Sequence, residues 1–148
     1  MIRCVFDSNK RLIDAVHRQF LITLLYFLRS MSKIQASAKI RIPKGRLEEF
    51  KGAVADYIKQ VKEKDRGTLQ ADWFLSSDAT ECEIREAYKS SQAVLEHQSN
   101  LRESIARIFV RFGTPYSVTI YGDPSTEVLE NARAGGLDVK VFSLLAGL

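Results

Sequence analysis

The sequence has few cysteines, and their spacing excludes functions that depend on cysteine. Cys4 and Cys82 are the two cysteines among 148 residues, and they lie too far apart to form a metal-binding or redox motif. Cys82 stands among residues typical of a strand, where a free thiol behaves as a small buried apolar side chain. We therefore expect no disulfide bond and a cytoplasmic location.

The sequence also lacks a hydrophobic run long enough to cross a membrane. The longest run, residues 20–28, has nine residues and contains Thr23, whereas a membrane-spanning helix needs about 20. A signal peptide is an alternative, because basic residues precede the run and residues 36–38 (ASA) resemble a cleavage site. Asp7 and Asp14 count against it, as does a cleavage point inside a predicted strand. We expect no membrane partner.

Residues 1–31 are predicted to lie outside the main domain. Met31 is followed by Ser-Lys and then directly by a strand pattern, as a natural N-terminus would be. The segment is therefore interpreted as an extension upstream of the natural start, and the alternative is an amphipathic lead-in helix. This places the domain boundary between 1–31 and 32–148.

Positive charge is not concentrated outside the first thirty residues. The net charge is +4, but residues 1–30 hold five basic and two acidic side chains, and the remainder holds 17 basic and 16 acidic ones. A surface that binds phosphate groups needs several uncompensated cations on one face. We therefore expect no nucleic-acid partner.

Hydrophobic periodicity predicts five strands and three helices after residue 32. Alternation of period two predicts strands at 33–42, 68–76, 81–88, 116–121 and 137–145. Apolar residues spaced by three and four predict a helix from 47 to the stop at Gly67 and a long helix from Ser90 or Ser91 to 112. Asp123-Pro124 and Gly135-Gly136 bracket a short helix, since proline suits the first helical position.

This element order predicts an α+β fold of the ferredoxin-like type. The order is βαββαβ, followed by an extra short helix and a C-terminal strand, with both long helices on one face of the sheet. The other face carries apolar side chains, namely Phe74, Tyr121, Phe142 and Leu144. Because an exposed apolar face favours association, we expect a homodimer that packs sheet against sheet.

The run from Glu86 to His97 (EAYKSSQAVLEH) resembles the signature of antibiotic-biosynthesis-monooxygenase domains. In that family a strand ends in Glu-x-(Tyr or Trp), and a serine or aspartate, a small residue and a histidine follow in the next helix. The resemblance extends over about residues 32–148, including a tail that ends in Ala-Gly-Leu. It implies a dimeric α+β barrel.

The resemblance implies a cofactor-independent monooxygenase that oxidises a small aromatic, quinol or anthrone-like substrate with molecular oxygen. No cofactor is expected, because no motif for nicotinamide, flavin, nucleotide phosphate or a structural metal is present. One alternative is a non-catalytic dimeric module for ligand binding or stress response. The other is a haem-binding relative, although such relatives place their histidine where this chain has Ile105 and Ala106.

The candidate catalytic residues are Glu86, Tyr88 and His97. Alternation places Glu86 beside Cys82 and Tyr88 on the helix-covered side, where a carboxylate needs a hydrogen-bond partner. Imidazole is the usual group for accepting a proton near neutral pH, so His97 is the candidate base. The alternative is a structural histidine bonded to Glu86 or to a backbone carbonyl.

The candidate substrate-binding residues are aromatic. They are expected to lie near Tyr88 between the sheet and the helices, where they would suit a flat ring. The set is Trp73, Phe109, Phe112 and Tyr116. The alternative interpretation is an ordinary hydrophobic core.

Overall fold

The computed structural model describes residues 16–24 and 32–147. From residue 32 onward the elements in chain order are β1 (Ile34–Arg41), α1 (Leu47–Lys64), β2 (Thr68–Leu75), β3 (Glu81–Tyr88), α2 (Ser91–Asn100), α3 (Arg102–Phe112), β4 (Ser117–Tyr121), α4 (Thr126–Ala134) and β5 (Val139–Phe142). This α+β, ferredoxin-like order confirms the fold class that periodicity predicted.

The five strands form one sheet in the order β2-β3-β1-β4-β5. Strand β1 lies at the centre and pairs antiparallel with β3 and with β4. Strand β5 pairs parallel with β4, and the short α4 makes the crossover that a parallel pair requires. The sheet therefore presents one face to the helices and leaves the other open.

The register of β1 and β3 decides which side chains reach the helix-covered face. Ile34 pairs with Tyr88, Ala36 with Glu86, and Ile40 with Cys82. Because side chains of a strand alternate between faces, all of these positions share one face. The Cys82 thiol is buried there, and burial raises its pKa to about 11. The expectation of a small buried apolar cysteine is thus confirmed.

The core between sheet and helices consists of two clusters. The first lies under α1 and α3 and contains Ile40, Ile42, Phe50, Tyr57, Val61, Cys82, Leu101, Ile108 and Phe112. The second lies under α2 and α4 and contains Ile34, Tyr88, Ala93, Val94, Ile120 and Val128. Between the clusters, Ala36 and Ala38 face the helices and are only half-buried.

The prediction of one long second helix is wrong, because the segment divides into α2 and α3 at Leu101. Leu101 has φ −112° and ψ 10°, and its side chain is almost fully buried. The backbone hydrogen bonds across the junction persist, from Leu101 N–H to the His97 carbonyl and from Ile105 N–H to the Leu101 carbonyl. The change of direction lets α2 bury His97 while α3 turns Ile108 towards α1.

The predicted bounds of the last two elements are also corrected. Helix α4 begins at Thr126 because Ser125 is its N-cap, whose hydroxyl accepts the Val128 N–H, so Pro124 precedes the helix. The last strand covers Val139–Phe142, and the exposed residues after it lack strand pairing. The strand ends there because β4, its partner in the sheet, ends at Tyr121 opposite Phe142.

Residues 16–24 are helical, with exposed apolar side chains that include Phe20 and Ile22. The rest of the predicted extension, including Cys4 and Met31, lies outside the described residues, as do residues 25–28 of the hydrophobic run. Within the described ranges, no helix is both long enough and apolar enough to span a membrane.

Candidate functional site

His97 is held by hydrogen bonds at both ring nitrogens. Helix α2 begins after Ser90, whose hydroxyl accepts the Ala93 N–H at 3.2 Å, and this places His97 in the last turns of the helix, facing the core. Its Nδ1 contacts Oδ2 of Asp65, and its Nε2 lies 2.7 Å from the hydroxyl of Tyr57. Both partners come from α1 and its C-cap, so the imidazole is fixed against this one helix.

Asp65 reaches His97 because the chain leaves the helical conformation at this residue. Asp65 is the C-cap of α1, with φ −124° and ψ 94°, and its N–H still donates to the Val61 carbonyl at 3.0 Å. Its Oδ2 also accepts a hydrogen bond from the Thr68 hydroxyl at 2.8 Å. The carboxylate thus has two partners in the interior, which is what a buried charge requires.

Glu86 is connected to His97 through Tyr57. The Tyr57 hydroxyl lies 3.1 Å from Oε1 of Glu86, and the Tyr88 hydroxyl donates to Oε2 at 2.8 Å. The direct separation between Glu86 Oε1 and His97 Nε2 is 3.7 Å. We call this set of side chains the His97 network. It comprises Tyr57, Asp65, Thr68, Glu86, Tyr88 and His97.

Burial and negative charge keep both tyrosines of the network neutral. Burial raises the pKa of Tyr57 well above its ordinary value, and the Glu86 carboxylate raises it further. The same two causes, in the same order, raise the pKa of Tyr88. Both phenols therefore act as hydrogen-bond donors and not as phenolates at physiological pH.

Among the ionisable side chains of the network, Glu86 is the one that a ligand can reach most readily. The Glu86 side chain is 16% exposed, against 4% for His97 and 1% for Asp65. Tyr57 and Tyr88 are also buried. A substrate would therefore meet the network at Glu86, beside the half-buried Ala36 that pairs with it.

The predicted aromatic residues lie in two different places. Phe112 is buried and Phe109 packs half-buried against the same core cluster. Trp73 joins them through Phe50 and lies 5.3 Å from Tyr57, ring to ring. The indole Nε1–H of Trp73 is buried without a hydrogen-bond partner among the described residues. This unpaired donor lies beside the His97 network.

The expected grouping of Tyr116 with the other aromatic residues is wrong. Its ring lies under the Arg41 guanidinium at 4.5 Å, and its hydroxyl donates to Glu81 at 2.9 Å. Arg41 and Glu81 pair with each other and alternate away from the buried Ile40 and Cys82. Tyr116 therefore lies on the open-face side. It precedes β4, so the alternation of that strand does not determine where its side chain lies.

The open face of the sheet carries a groove of about 660 Å³. Its lining includes Phe74 and Tyr121 together with the polar or charged Gln35, Gln70, Glu83 and Arg85. The groove also reaches Ala36 and Glu86, whose side chains alternate to the helix-covered face. A hydrogen bond from Ser37 at 2.9 Å and the neighbouring Arg85 lower the pKa of Glu83. The charges of this face are thus largely paired within the monomer.

The haem alternative gains no support from the histidine geometry. Iron binding would require Nε2 of His97 to leave Tyr57, or Nδ1 to leave Asp65. Ile105 and Ala106 occupy the positions further along the chain at which a ligand histidine was considered in the haem alternative. Within residues 16–24 and 32–147, no group of three or more histidine, cysteine or acidic side chains is arranged to hold a metal ion.

Sequence reasoning found Glu86, Tyr88 and His97 but missed Tyr57, Asp65 and Thr68. Tyr57 was hidden in the apolar stripe of α1, where tyrosine packs like any core residue. Asp65 gave a weak indication of a buried partner, since an acidic residue at a helix C-terminus interacts unfavourably with the helix dipole unless another contact stabilises it. Thr68 had no signal beyond its strand propensity.

Comparison with known proteins finds one family and several similar folds. The model of the antibiotic biosynthesis monooxygenase family matches residues 34–102, which confirms the predicted resemblance. No curated protein gives a significant sequence match. The solved structures described next share the fold.

Each of these structures is 22% or less identical to this chain. MupZ from Pseudomonas fluorescens is 22% identical, with a TM-score of 0.65 over 78% of this chain and 93% of that one. A proposed antibiotic biosynthesis monooxygenase from Caulobacter crescentus CB15 is 20% identical, with a TM-score of 0.56 over 66% and 94%. Rv0793 from Mycobacterium tuberculosis is 21% identical, with a TM-score of 0.53 over 60% and 92%.

Proposed function

Residues 34–102 match the model of the antibiotic biosynthesis monooxygenase family, and from this match we propose that the protein is a cofactor-independent monooxygenase. Its substrate is a small aromatic quinol or anthrone, and its oxidant is molecular oxygen. Glu86 is the catalytic base that touches the substrate, and His97 acts behind it. The observation that carries the proposal is the His97 network with its exposed end at Glu86.

The exposure of the network supports these proposed roles. A general base must come within hydrogen-bond distance of the proton that it removes. The partly exposed Glu86 can do so, whereas both nitrogens of His97 are occupied by Asp65 and Tyr57. This differs from the sequence-based expectation that His97 itself is the first base.

The proposal places a flat ring on the helix-covered face next to Glu86. Ala36 and Ala38 present only methyl groups there and remain half-buried between the two core clusters. The buried indole N–H of Trp73 supplies an unpaired donor near Tyr57. A quinone or phenol oxygen that accepts this N–H would remove the cost of leaving the donor unsatisfied.

The proposed reaction balances without a cofactor. Glu86 takes a proton from the substrate C–H or O–H, and the resulting anion forms a carbon–oxygen bond with molecular oxygen. The oxygen–oxygen bond then breaks. One oxygen atom stays on the ring carbon as a carbonyl, and the other leaves as water with the two hydrogens lost by the substrate. Apolar walls protect the reactive anion from side reactions with water.

We expect the Glu86→Gln variant to reduce kcat/KM by about 100-fold, the lower range for loss of a general base. Glutamine keeps the size and accepts from Tyr88, but it cannot take up a proton. The measurement is oxygen consumption with a panel of anthrones and hydroquinones, with product identified by mass spectrometry.

The matched control is Glu96→Gln, which makes the same change at an exposed position of α2. It should leave turnover unchanged. If no compound of the panel is oxidised by the wild-type protein, or if Glu86→Gln is as active as the control, the assignment is wrong. Ligand-dependent thermal stabilisation without product would instead support a non-catalytic binding module, which the unpaired Trp73 N–H also favours.

A homodimer through the open face is part of the same proposal. Phe74 and Phe142 are more than half exposed on this face, and Tyr121 stacks on Phe142 with ring centroids 5.7 Å apart. Because Glu83 already has Ser37 and Arg85 as partners, covering the face costs less desolvation than it would for unpaired charges. Two such faces packed together would bury the aromatic residues.

We expect Phe74→Lys to convert the dimer to a monomer, because it would bury a new cation in the interface. In the monomer the lysine is tolerated, since Phe74 is 54% exposed and pairs with Glu83 across the strands. Light scattering after size exclusion measures the mass. Val110→Lys is the control, since Val110 is exposed on α3 and away from the sheet. A wild-type monomer, or a dimeric Phe74→Lys variant, would overturn the proposed interface.

A further inference from the structure

We propose that Tyr57 carries the proton between Glu86 and His97, and that Asp65 holds the resulting imidazolium. This inference rests on the proposed function, in which Glu86 is the base. It assigns Tyr57 and Asp65 as positioning residues that act through Glu86 and restore it between turnovers.

The geometry leaves Tyr57 as the bridge. Glu86 Oε1 and His97 Nε2 are 3.7 Å apart, beyond the usual hydrogen-bond range of about 2.7–3.2 Å. The Tyr57 hydroxyl lies within that range of both, at 3.1 Å from the carboxylate and 2.7 Å from the imidazole. A phenol can donate its proton on one side while it accepts a proton on the other.

The network has two proton arrangements with the same total charge. In the first, His97 carries protons on both nitrogens, Tyr57 donates to Glu86, and Glu86 is a carboxylate. In the second, Glu86 is protonated and donates to Tyr57, which donates to the bare Nε2 of His97. In both, Nδ1–H faces Asp65. The two arrangements differ only in where one proton lies, so their interconversion needs no charge from solvent.

Because the two arrangements have the same total charge, a proton can pass from Glu86 to His97 during turnover. Glu86 first takes the substrate proton as its own O–H. That proton then passes to the Tyr57 oxygen while the original Tyr57 proton passes to Nε2 of His97. Glu86 returns to the carboxylate form, and the new imidazolium faces Asp65. Solvent later removes the proton, and no atom or charge is left unaccounted for.

The ionisable partners of His97 and Glu86 among the described residues come from α1, its C-cap and β3. Helix α1 supplies Tyr57, its C-cap supplies Asp65, and β3 supplies Glu86 and Tyr88. Strand β2 adds the neutral Thr68, whose hydroxyl fixes Asp65. Tyr88 bonds the other oxygen of Glu86, and its contact with His97 is between rings, at 5.1 Å. Tyr88 therefore cannot carry the proton.

The test compares Tyr57→Phe with Tyr88→Phe, because each removes one hydroxyl from Glu86 and keeps the ring. Anthrone is added without oxygen, and two signals are followed. The absorbance of the anthrone anion reports removal of the substrate proton, and ¹⁵N NMR of the ring nitrogens of His97 reports where that proton goes.

In the wild-type protein and in Tyr88→Phe, we expect the anion to form and His97 Nε2 to become protonated. In Tyr57→Phe, Nε2 should stay unprotonated, and turnover with oxygen should fall by about 100-fold. Asp65→Asn should reduce the fraction of His97 Nε2 that becomes protonated when anthrone is added. Thermal melts show whether each variant is folded.

The two proposals fail in different ways. An absent anion in the wild-type protein overturns Glu86 as the base, and the relay with it. An anion that forms while His97 remains unchanged overturns the relay alone. Protonation of Nε2 in Tyr57→Phe, equal to that in Tyr88→Phe, would also exclude Tyr57 as the carrier.

Discussion

Replacing Asp65 with alanine should lower the free energy of unfolding by about 3–5 kcal/mol, since it removes two hydrogen bonds to a carboxylate, each worth about 1.5–3 kcal/mol. The Asp65 side chain is 1% exposed and accepts from Thr68 while it contacts Nδ1 of His97. The variant leaves the Thr68 hydroxyl, 3.3 Å from Nδ1, as the remaining acceptor for the buried imidazole N–H. Chemical denaturation monitored by circular dichroism measures the change.

Two further variants test whether the loss of stability comes from the contact between Asp65 and His97. Asp56→Ala removes an exposed carboxylate from α1 and should change stability by less than about 0.5 kcal/mol. The double variant Asp65→Ala/His97→Leu should recover part of the loss, because an apolar pair leaves no buried polar group unsatisfied. A loss of less than about 1 kcal/mol for Asp65→Ala, below the cost of one unsatisfied buried group, would mean that the carboxylate is not buried against His97.

Replacing Phe50 with alanine should also cost about 3–5 kcal/mol, the range for a large aromatic residue removed from a core. Phe50 is 2% exposed at the centre of the first core cluster. Its ring meets Phe112 edge-on at 5.1 Å and Trp73 at 6.0 Å. Loss of the ring leaves a cavity that the surrounding helices cannot close without moving.

The same variant tests the link between the core and the site. Trp73 is held between Phe50 and Tyr57, so a cavity at Phe50 loosens the wall beside the His97 network. Phe50→Leu should recover more than half of the stability, whereas Val110→Ala, at a position 86% exposed, should have an effect below about 0.5 kcal/mol. Equal stabilities of Phe50→Ala and Val110→Ala would contradict the packing described here. Denaturant midpoints with unchanged slopes are the measurement.

Much of the fold followed from local pattern. The third strand was predicted at 81–88 and lies at Glu81–Tyr88, because strict alternation between an apolar and a charged face admits one register. The break at Leu101 was not predicted, since the apolar spacing continues through it without a proline or glycine. Only the need to bury two helices against different parts of the sheet makes the chain turn there.

Part of the site was also predicted from local periodicity. Alternation placed Glu86 and Tyr88 on the helix-covered face, and the helical stripe placed His97 there too. The partners of His97 come from other elements: Tyr57 lies 40 residues and Asp65 32 residues before it in the chain. A stripe shows that Tyr57 faces inward, but it cannot show what the hydroxyl meets.

The sequence by itself determined the element types, the order of the α+β fold, its resemblance to one family and the face on which each strand residue lies. These are short-range properties, set by periodicity, capping and propensity over a few neighbouring residues. Only the tertiary structure decided that Tyr57 bridges Glu86 and His97, that Glu86 is the exposed end, and that Tyr116 lies on the open-face side. Those facts depend on how α1, β3 and α2 pack together, and hydrogen bonds between such distant segments exist only once the core has closed.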